Sequence, residues 1–213
     1  GNFGNICAGY FAFKMGLPIH RLILGTNSND ILVRFFETGE LIIQPVVPTL
    51  SPAMDIQISS NFERVLFDLS GCDGSSVKAA MQIFRNQGKM RPTTQIFEKA
   101  CRLFLASRLD DQGIKKQIDK IYRNYNLIID PHTATGIHAA EAFMSEDNTP
   151  MVALGTAHPS KFPEAVEEAI GVRPSLPAAL SSLMERSEKV TYLPNNLSQV
   201  KKFIRQHSQN HER

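Results

Sequence analysis

The stretch RLILGTNSNDILVRFFETG, residues 21–39, indicates the fold class of this chain. Its first part, RLILGT, is short and rich in Leu and Ile, which is typical of a buried parallel strand. Asn29 and Asp30 then precede a helical pattern of apolar residues that ends at Gly39. Upstream, a glycine turn, GNFGN, leads directly into another helical pattern. A turn, a helix, a strand and a helix in this order predict an α/β fold with an open parallel sheet.

Two later apolar runs, LIID and MVALG, have the same buried-strand pattern. We predict that residues 22–25, 127–129 and 152–154 form neighbouring parallel strands of one sheet. Residues 190–193 fit an edge strand. Between about residues 41 and 125 the apolar positions follow helical spacing without an obvious strand, so we predict a helical insert in the sheet.

The composition is that of an ordinary globular protein and excludes disordered, collagen-like and coiled-coil classes. Of the 213 residues, 42% are hydrophobic and 21% are charged. The 23 basic and 21 acidic residues leave a net charge of +2, which predicts neither a nucleic-acid nor a membrane partner. No apolar window reaches the ~18 residues of a spanning helix, and no secretory signal opens the chain, so a cytoplasmic location is expected.

The glycine turn at the beginning of the chain has the outline of an anion site. Glycines let consecutive backbone amides face a ligand, and the following helix N-terminus adds a partial positive charge. A single Gly-x-x-Gly is a weak signal, and on these residues alone a turn that merely enters a helix is the favoured explanation. The chain also opens inside this turn, with no element before it, which suggests a fragment.

Longer blocks of sequence resemble one enzyme family. GNFGNICAGYFAFKMGLPI and LILGTNSNDILVRFFETGE, followed by SPAMDIQISSNFERVLFDL, DPHTATG and LGTAHPSKFPEAV, are similar to threonine synthase in the same order. Threonine synthases are enzymes dependent on pyridoxal 5′-phosphate (PLP). The resemblance covers essentially the whole chain and implies the parallel-sheet α/β fold of PLP fold type II, the tryptophan-synthase β type.

The resemblance implies where the cofactor binds. In the family, the loop matching the glycine turn wraps the cofactor phosphate through main-chain amides, as the turn itself suggests. Thr156 matches the family's Ser or Thr residue whose hydroxyl meets the pyridine nitrogen. A neutral hydroxyl does not hold a proton on that nitrogen as a carboxylate does, so the ring would be a weaker electron sink. The implied cofactor-binding residues are Gly1, Asn2, Phe3, Gly4, Asn5 and Thr156. Family members often carry Asp at the fifth position, so a polar bond from the Asn5 side chain is the weakest part of this transfer.

The resemblance also implies a set of substrate-contacting residues. An arginine could bind a substrate phosphate or carboxylate in bidentate fashion, and histidines near the same cleft could contact the substrate or support the residues that do. A second interpretation is structural, because Ser60 and Glu63 also have the spacing of a helix capping box. The implied substrate-binding residues are Ser60, Asn61, Arg64, His132, Thr133 and His158.

The catalytic lysine of the family has no match in this sequence. A PLP enzyme needs a Schiff-base lysine. Lys14, in AFK, superficially echoes the family's lysine motif, but the residues on both sides differ and the surrounding block matches a region after the lysine. We therefore expect the lysine to lie upstream, in a part of the family that this chain lacks. The chain is interpreted as the C-terminal portion of the large PLP-binding domain, inactive alone.

The function implied by the resemblance is the conversion of O-phosphohomoserine and water to threonine and phosphate. One alternative within the family is a phospho-lyase that eliminates phosphate without making threonine. Another, from a different class, is a non-catalytic domain that binds a phosphate ligand or a partner. A Rossmann nucleotide binder is disfavoured, since the sequence lacks a G-x-G-x-x-G opening with an acidic residue ~20 positions on.

Overall fold

The computed structural model describes residues 2–144 and 149–208. The chain divides into two compact units, Gly1–Ser175 and Leu176–Arg213. The first unit contains every strand named below and most of the helices. In its described part, up to residue 208, the second contains two short 3₁₀ turns and one helix.

Helices dominate the described residues. They are α1 (Gly4–Lys14), α2 (Ile31–Thr38), α3 (Ser60–Leu69), α4 (Gly74–Gln87), α5 (Thr94–Leu103), α6 (Asp111–Tyr125), α7 (Pro131–Ala142), α8 (Pro163–Ile170) and α9 (Leu197–Ser208). The strands are β1 (Leu22–Thr26), β2 (Leu41–Ile42), β3 (Lys89–Met90) and β4 (Phe104–Arg108). No helix among the described residues has the length and apolar character needed to cross a lipid bilayer.

The parallel pair β1–β4 is the centre of the first unit. Leu22 is opposite Phe104 and Thr26 is opposite Arg108, so the two strands end side by side. Helix α7 lies directly on β1, where a Cβ added at Gly25 would be 2.4 Å from the carbonyl oxygen of Thr135. The predicted α/β class with a parallel sheet is therefore confirmed.

The predicted strand composition of the sheet is wrong. Of the three expected strands only residues 22–25 form one, whereas residues 127–129, 152–154 and 190–193 have no strand pairing. Val152 is 77% exposed, so its run is not buried as the pattern suggested. An apolar run becomes a strand only when a neighbouring backbone pairs with it, and the run itself does not specify that neighbour.

The predicted helical insert between about residues 41 and 125 also needs correction. It contains β2 and β3, which pair antiparallel, and β4, which is the partner of β1 in the central sheet. The helical apolar spacing was extended to Phe104, but α5 ends at Leu103 and Phe104 begins the strand. The side chain of Phe104 is buried in both interpretations, so its apolar character could not separate them.

Two apolar clusters form the core of the first unit. The larger one is built on aromatic rings: the centroid of Phe62 lies 5.2 Å from those of Phe3 and Phe35, in edge-to-face geometry. The smaller one packs α6 against α7. Its fully or almost fully buried members are Ile114, Ile118, Ile121, Ile129 and Ala134.

A buried polar network follows the end of β1. The Nδ2 atom of fully buried Asn27 lies 2.7 Å from Oγ1 of Thr49, 3.0 Å from Oγ of Ser51 and 2.8 Å from Oδ1 of Asp55. Its Oδ1 atom accepts from the amide of Asn29 at 2.9 Å. These bonds satisfy the polar groups of Asn27 and tie the sheet end to the loop that leads to α3.

Candidate active site

The glycine turn presents unpaired amides at the start of α1. Phe3 adopts the left-handed conformation with φ of 62°, and no side chain caps the helix. Cys7 is the first residue of the helix whose amide bonds backward, to the carbonyl oxygen of Phe3. In the described part of the chain the amides of Gly4, Asn5 and Ile6 donate to no protein acceptor. Three free N–H donors at a helix N-terminus are suited to an anion.

Asn2 fastens this turn to helix α3. Its Oδ1 atom accepts hydrogen bonds from the amide and the hydroxyl of Ser60, both at 2.9 Å. Its backbone carbonyl accepts from Nδ2 of Asn61 at 2.9 Å. The structure thus brings three predicted residues together, with Ser60 and Asn61 holding the turn. Gly1, also predicted, lies outside the described residues.

The predicted capping box at Ser60 and Glu63 is wrong by one residue. The N-cap of α3 is Ser59, whose hydroxyl accepts from the amide of Phe62 at 3.4 Å. Glu63 pairs instead with Arg85, at 3.3 Å. Because Ser59 and Ser60 are adjacent serines, the pattern had two possible registers; in the structure Ser59 caps the helix and the Ser60 hydroxyl bonds to Asn2.

Arg64 is an exposed cation one turn further along α3. Within the described residues its guanidinium makes neither an ion pair nor a hydrogen bond. It lies near the buried Cys7 of α1: burial raises the pKa of that thiol, and the charge of Arg64 opposes the rise. A free guanidinium beside the first turns of α1 adds positive potential next to the unpaired amides.

Asp130 organises a second group of predicted residues. It is fully buried at the N-cap of α7 and accepts from the amides of His132 and Thr133, at 2.9 and 3.0 Å. It also accepts from His132 Nδ1 at 2.7 Å and from the Thr133 hydroxyl. Burial raises the pKa of Asp130, but the bonds from His132 and Thr133 outweigh it and hold the pKa below its ordinary value.

His132 is held at both ring nitrogens. Nδ1 bonds to Asp130, and Nε2 accepts from the amide of Ala53 at 3.3 Å, which together fit the neutral ring protonated at Nδ1. The ring also packs against Phe162, with centroids 4.6 Å apart. This histidine joins α7 to the loop before α3 and to the start of α8.

Thr133 connects Asp130 to Thr156. Its buried hydroxyl donates to Asp130 Oδ1 and accepts from the backbone amide of Thr156 at 3.1 Å. The side chain of Thr156 is exposed, and its own hydroxyl has no hydrogen bond within the described residues. The hydroxyl of Thr133 is therefore occupied internally, whereas that of Thr156 is available.

His158 is exposed and caps the short 3₁₀ turn Pro159–Lys161. Its Nδ1 atom lies 2.7 Å from the hydroxyl of Ser160 and accepts from the amide of the same residue at 3.2 Å. Nε2 remains free of hydrogen bonds among the described residues. Only this nitrogen of His158 is therefore available to a ligand.

Most of the predicted site residues thus form two groups: a turn group (Asn2, Phe3, Gly4, Asn5, Ser60, Asn61, Arg64), and a second group (His132, Thr133, Thr156) that hydrogen bonds join to Asp130. The side chain of His158 bonds only to Ser160 within the described residues and belongs to neither group. Within the described residues no hydrogen bond joins Asn2–Asn5 directly to Thr156, so their position on one cleft stays a prediction. The side-chain role of Asn2 was not predicted, because its partners Ser60 and Asn61 lie 58 and 59 positions away in the chain. No cluster of His, Cys, Asp or Glu among the described residues could hold a metal ion.

The structure of the chain is similar to solved structures of threonine synthases. The fold matches a PLP-bound threonine synthase from Brucella melitensis with a TM-score of 0.87 and 44% identity, covering 98% of this chain and 45% of that one. It matches the threonine synthase from yeast with a TM-score of 0.82 and 38% identity, covering 99% and 46%. The chain thus has the α/β fold of these enzymes.

The sequence of the chain is similar to the same group of enzymes. A family model described as threonine synthase, C-terminal, matches residues 133–204. The threonine synthase of Pseudomonas aeruginosa is 48% identical over 208 residues, covering 97% of this chain and 44% of the relative. That of Saccharomyces cerevisiae is 40% identical, covering 96% and 42%. The chain spans less than half the length of these relatives and corresponds to the C-terminal portion of threonine synthases.

Proposed function

We propose that this chain contributes the C-terminal half of the active site of a PLP-dependent threonine synthase, which converts O-phosphohomoserine and water to threonine and phosphate. The observation that carries the proposal is the set of amides of Gly4, Asn5 and Ile6, behind the left-handed Phe3, that find no acceptor among the described residues. Such an arrangement binds a dianionic phosphate through main-chain hydrogen bonds and the helix dipole. It has the donors, the exposure and the absence of a competing cap that the cofactor phosphate requires.

Thr156 is proposed to face the other end of the cofactor, at its ring nitrogen. Its exposed hydroxyl, which has no hydrogen-bond partner in the described part of the chain, supports this role. When bound, PLP supplies an electron sink for carbanion chemistry on an amino acid. A neutral hydroxyl accepts or donates one hydrogen bond there without imposing a charge on the ring.

Arg64 is proposed to bind the substrate phosphate. Its exposed guanidinium, unpaired as far as the described residues go, can form two parallel hydrogen bonds to phosphate oxygens. Asn61 and Ser60 would then act mainly by holding the glycine turn through Asn2. Nε2 of His158 makes no hydrogen bond among the described residues, so His158 can contact the substrate. Both ring nitrogens of His132 already bond to the protein, so His132 is proposed to support other residues of the site.

The lysine that binds the cofactor covalently is proposed to come from the N-terminal portion that the relatives carry. Lys14, in the AFK segment that resembles the family's lysine motif, forms an ion pair with Asp68 at 3.1 Å. This contact favours a structural role for Lys14. The chain alone is therefore proposed to be inactive. We further propose a small-molecule substrate and no nucleic-acid partner, which the net charge of +2 supports. A cytoplasmic location is also proposed and is supported by the three free thiols.

A charge placed in the turn tests the phosphate site. Gly4 has an ordinary backbone conformation, and an added Cβ would only contact Asn61 Nδ2 at 3.7 Å, so the fold accepts a side chain there. We expect Gly4→Asp to abolish binding of pyridoxine 5′-phosphate, a cofactor analogue that lacks the aldehyde and cannot label surface lysines. The neutral isostere Gly4→Asn should retain most of it. Equal binding by both variants in calorimetric titrations would refute the phosphate site.

A turnover assay tests the reaction. We expect the 213-residue chain with PLP and O-phosphohomoserine to release no phosphate above the free-PLP rate. Fusion to the N-terminal portion of the Pseudomonas aeruginosa relative should restore both phosphate release and threonine formation. Stoichiometric borohydride labelling of one lysine in the isolated chain, together with threonine formation, would overturn the assignment of the lysine to the N-terminal portion.

The phospho-lyase alternative predicts a different product in the same assay. The human protein named threonine synthase-like 2 is 32% identical over 196 residues, against 48% for the Pseudomonas aeruginosa threonine synthase. Phosphate release without threonine in the fused enzyme would favour the lyase. Absence of both products would favour a non-catalytic binding domain.

A further inference from the structure

The segment that carries Thr156 is not held by a sheet. Residues 151–156 were expected to be a buried strand and its end, yet they pair with no strand, and Leu154 is 55% exposed. The side chain of a residue on such a segment has no rigid element behind it. If the Thr156 hydroxyl is to meet one ligand atom, another contact must fix its backbone.

That contact is the bond from the amide of Thr156 to the hydroxyl of Thr133, at 3.1 Å. A threonine hydroxyl has one proton and two lone pairs. Here the proton goes to Asp130 Oδ1, so a lone pair is directed to the Thr156 amide. Asp130 is fully buried and fixed by the first amides of α7, which makes it a rigid base for this chain of hydrogen bonds.

We propose that Thr133 is a positioning residue that, fixed by Asp130, orients the hydroxyl of Thr156 toward the cofactor ring. The inference rests on the proposed function. In it, Thr133 does not touch the cofactor and acts on it only through Thr156. Thr133 was expected to contact the substrate. Its burial and its hydroxyl, which already donates to Asp130 and accepts from Thr156, instead direct its effect to Thr156.

A double-mutant cycle on the 213-residue chain separates this role from a purely structural one. The variants are Thr133→Val, which keeps the shape and removes the hydroxyl, Thr156→Ala, and the two combined, with Thr133→Ser as the control that keeps the hydroxyl. The ligands are pyridoxine 5′-phosphate, which has the ring, and inorganic phosphate, which reaches only the glycine turn.

We expect Thr133→Val to weaken pyridoxine 5′-phosphate binding about 5-fold, as for the loss of one hydrogen bond, and to leave phosphate binding unchanged. Thr133→Ser should bind as wild type. In the Thr156→Ala background, Thr133→Val should have no further effect. An equal loss for phosphate, or an undiminished loss in the Thr156→Ala background, would overturn the positioning role. If Thr156→Ala itself binds as wild type, the proposed ring contact fails instead.

Hydrogen exchange of the Thr156 amide tests the inference in the wild-type chain, before any variant is made. The amide of Thr156 should exchange more slowly than expected for an exposed segment, because it donates to Thr133. The protection should be lost in Thr133→Val and kept in Thr133→Ser. An unprotected Thr156 amide in the wild-type chain would overturn the inference even if Thr133→Val does not fold.

Discussion

Asp30, at the start of α2, accepts a hydrogen bond from Arg108 at the end of β4, with 2.8 Å between Oδ2 and Nη1. Its other oxygen accepts from Nε of Arg34 at 2.9 Å. The carboxyl is almost completely buried, whereas the side chain of Arg108 is 69% exposed and that of Arg34 only 19%. Burial raises the pKa of Asp30, but the bonds from both arginines outweigh it and lower the pKa.

Removing the charge of Asp30 should cost far more stability than removing its exposed partner. Asp30→Asn leaves the largely buried guanidinium of Arg34, whose Nη2 already has no partner among the described residues, without its counter-charge. We expect a loss of about 3 kcal/mol in the free energy of unfolding. Arg108→Gln should cost less than about 1 kcal/mol. Urea denaturation measures both, and similar losses would contradict this account.

The stability of the chain should decrease in acid through Asp30 and Asp130. Both have a folded-state pKa below the ordinary value, so the unfolded chain binds more protons as the pH falls. Their contribution is complete above the unfolded carboxyl pKa of about 3.9 and is lost as the pH falls through the folded pKa. Urea unfolding at several pH values should therefore show a smaller acid loss for Asp130→Asn than for wild type. Parallel curves would refute the contribution of Asp130.

Contact between β1 and α7 should make Gly25 intolerant of any side chain. A Cβ there would lie 2.4 Å from the carbonyl oxygen and 2.6 Å from the carbonyl carbon of Thr135, both backbone atoms that cannot rotate away. We expect Gly25→Ala to lower stability by about 3 kcal/mol. Gly136→Ala is the matched control: its Cβ would meet nothing within 4 Å, and inside a helix it should add about 0.5–1 kcal/mol. Opposite shifts in melting temperature check both.

Local signals in the sequence were sufficient for most helices. Gly39 was predicted to end α2, and it does so in the left-handed conformation with φ of 76°. The turn before α1 was predicted to expose its amides, and three of them have no acceptor among residues 2–144 and 149–208. Caps and helical spacing depend on residues within one or two turns, so the chain carries this information locally.

Pairings between distant residues could not be predicted in the same way. Phe104 continues the helical spacing of α5, and only β1, about 80 positions earlier, makes it the start of a strand. Ser60 and Asn61 were recognised as site residues, but their partner Asn2 is 58 and 59 positions away. Their hydrogen bonds exist because α1 packs on α3, which is a property of the fold and not of either segment.

Replacing the side-chain amide of Asn27 by a carboxyl should destabilise the chain most near neutral pH and least in acid. Asn27→Asp puts an oxygen where the Nδ2 donor now faces Thr49, Ser51 and the carboxyl of Asp55, at 2.7–3.0 Å. Burial and the neighbouring Asp55 would raise the pKa of the new carboxyl, so the folded state would bind the extra proton more tightly than the unfolded state. We expect a loss of about 3 kcal/mol near neutral pH that becomes smaller as the pH falls, because the protonated group can again donate. Asn27→Ala is the control: it adds no titratable group, so its loss should vary less with pH than that of Asn27→Asp. A pH-independent penalty for Asn27→Asp in urea unfolding would show that this side chain does not act as a buried donor.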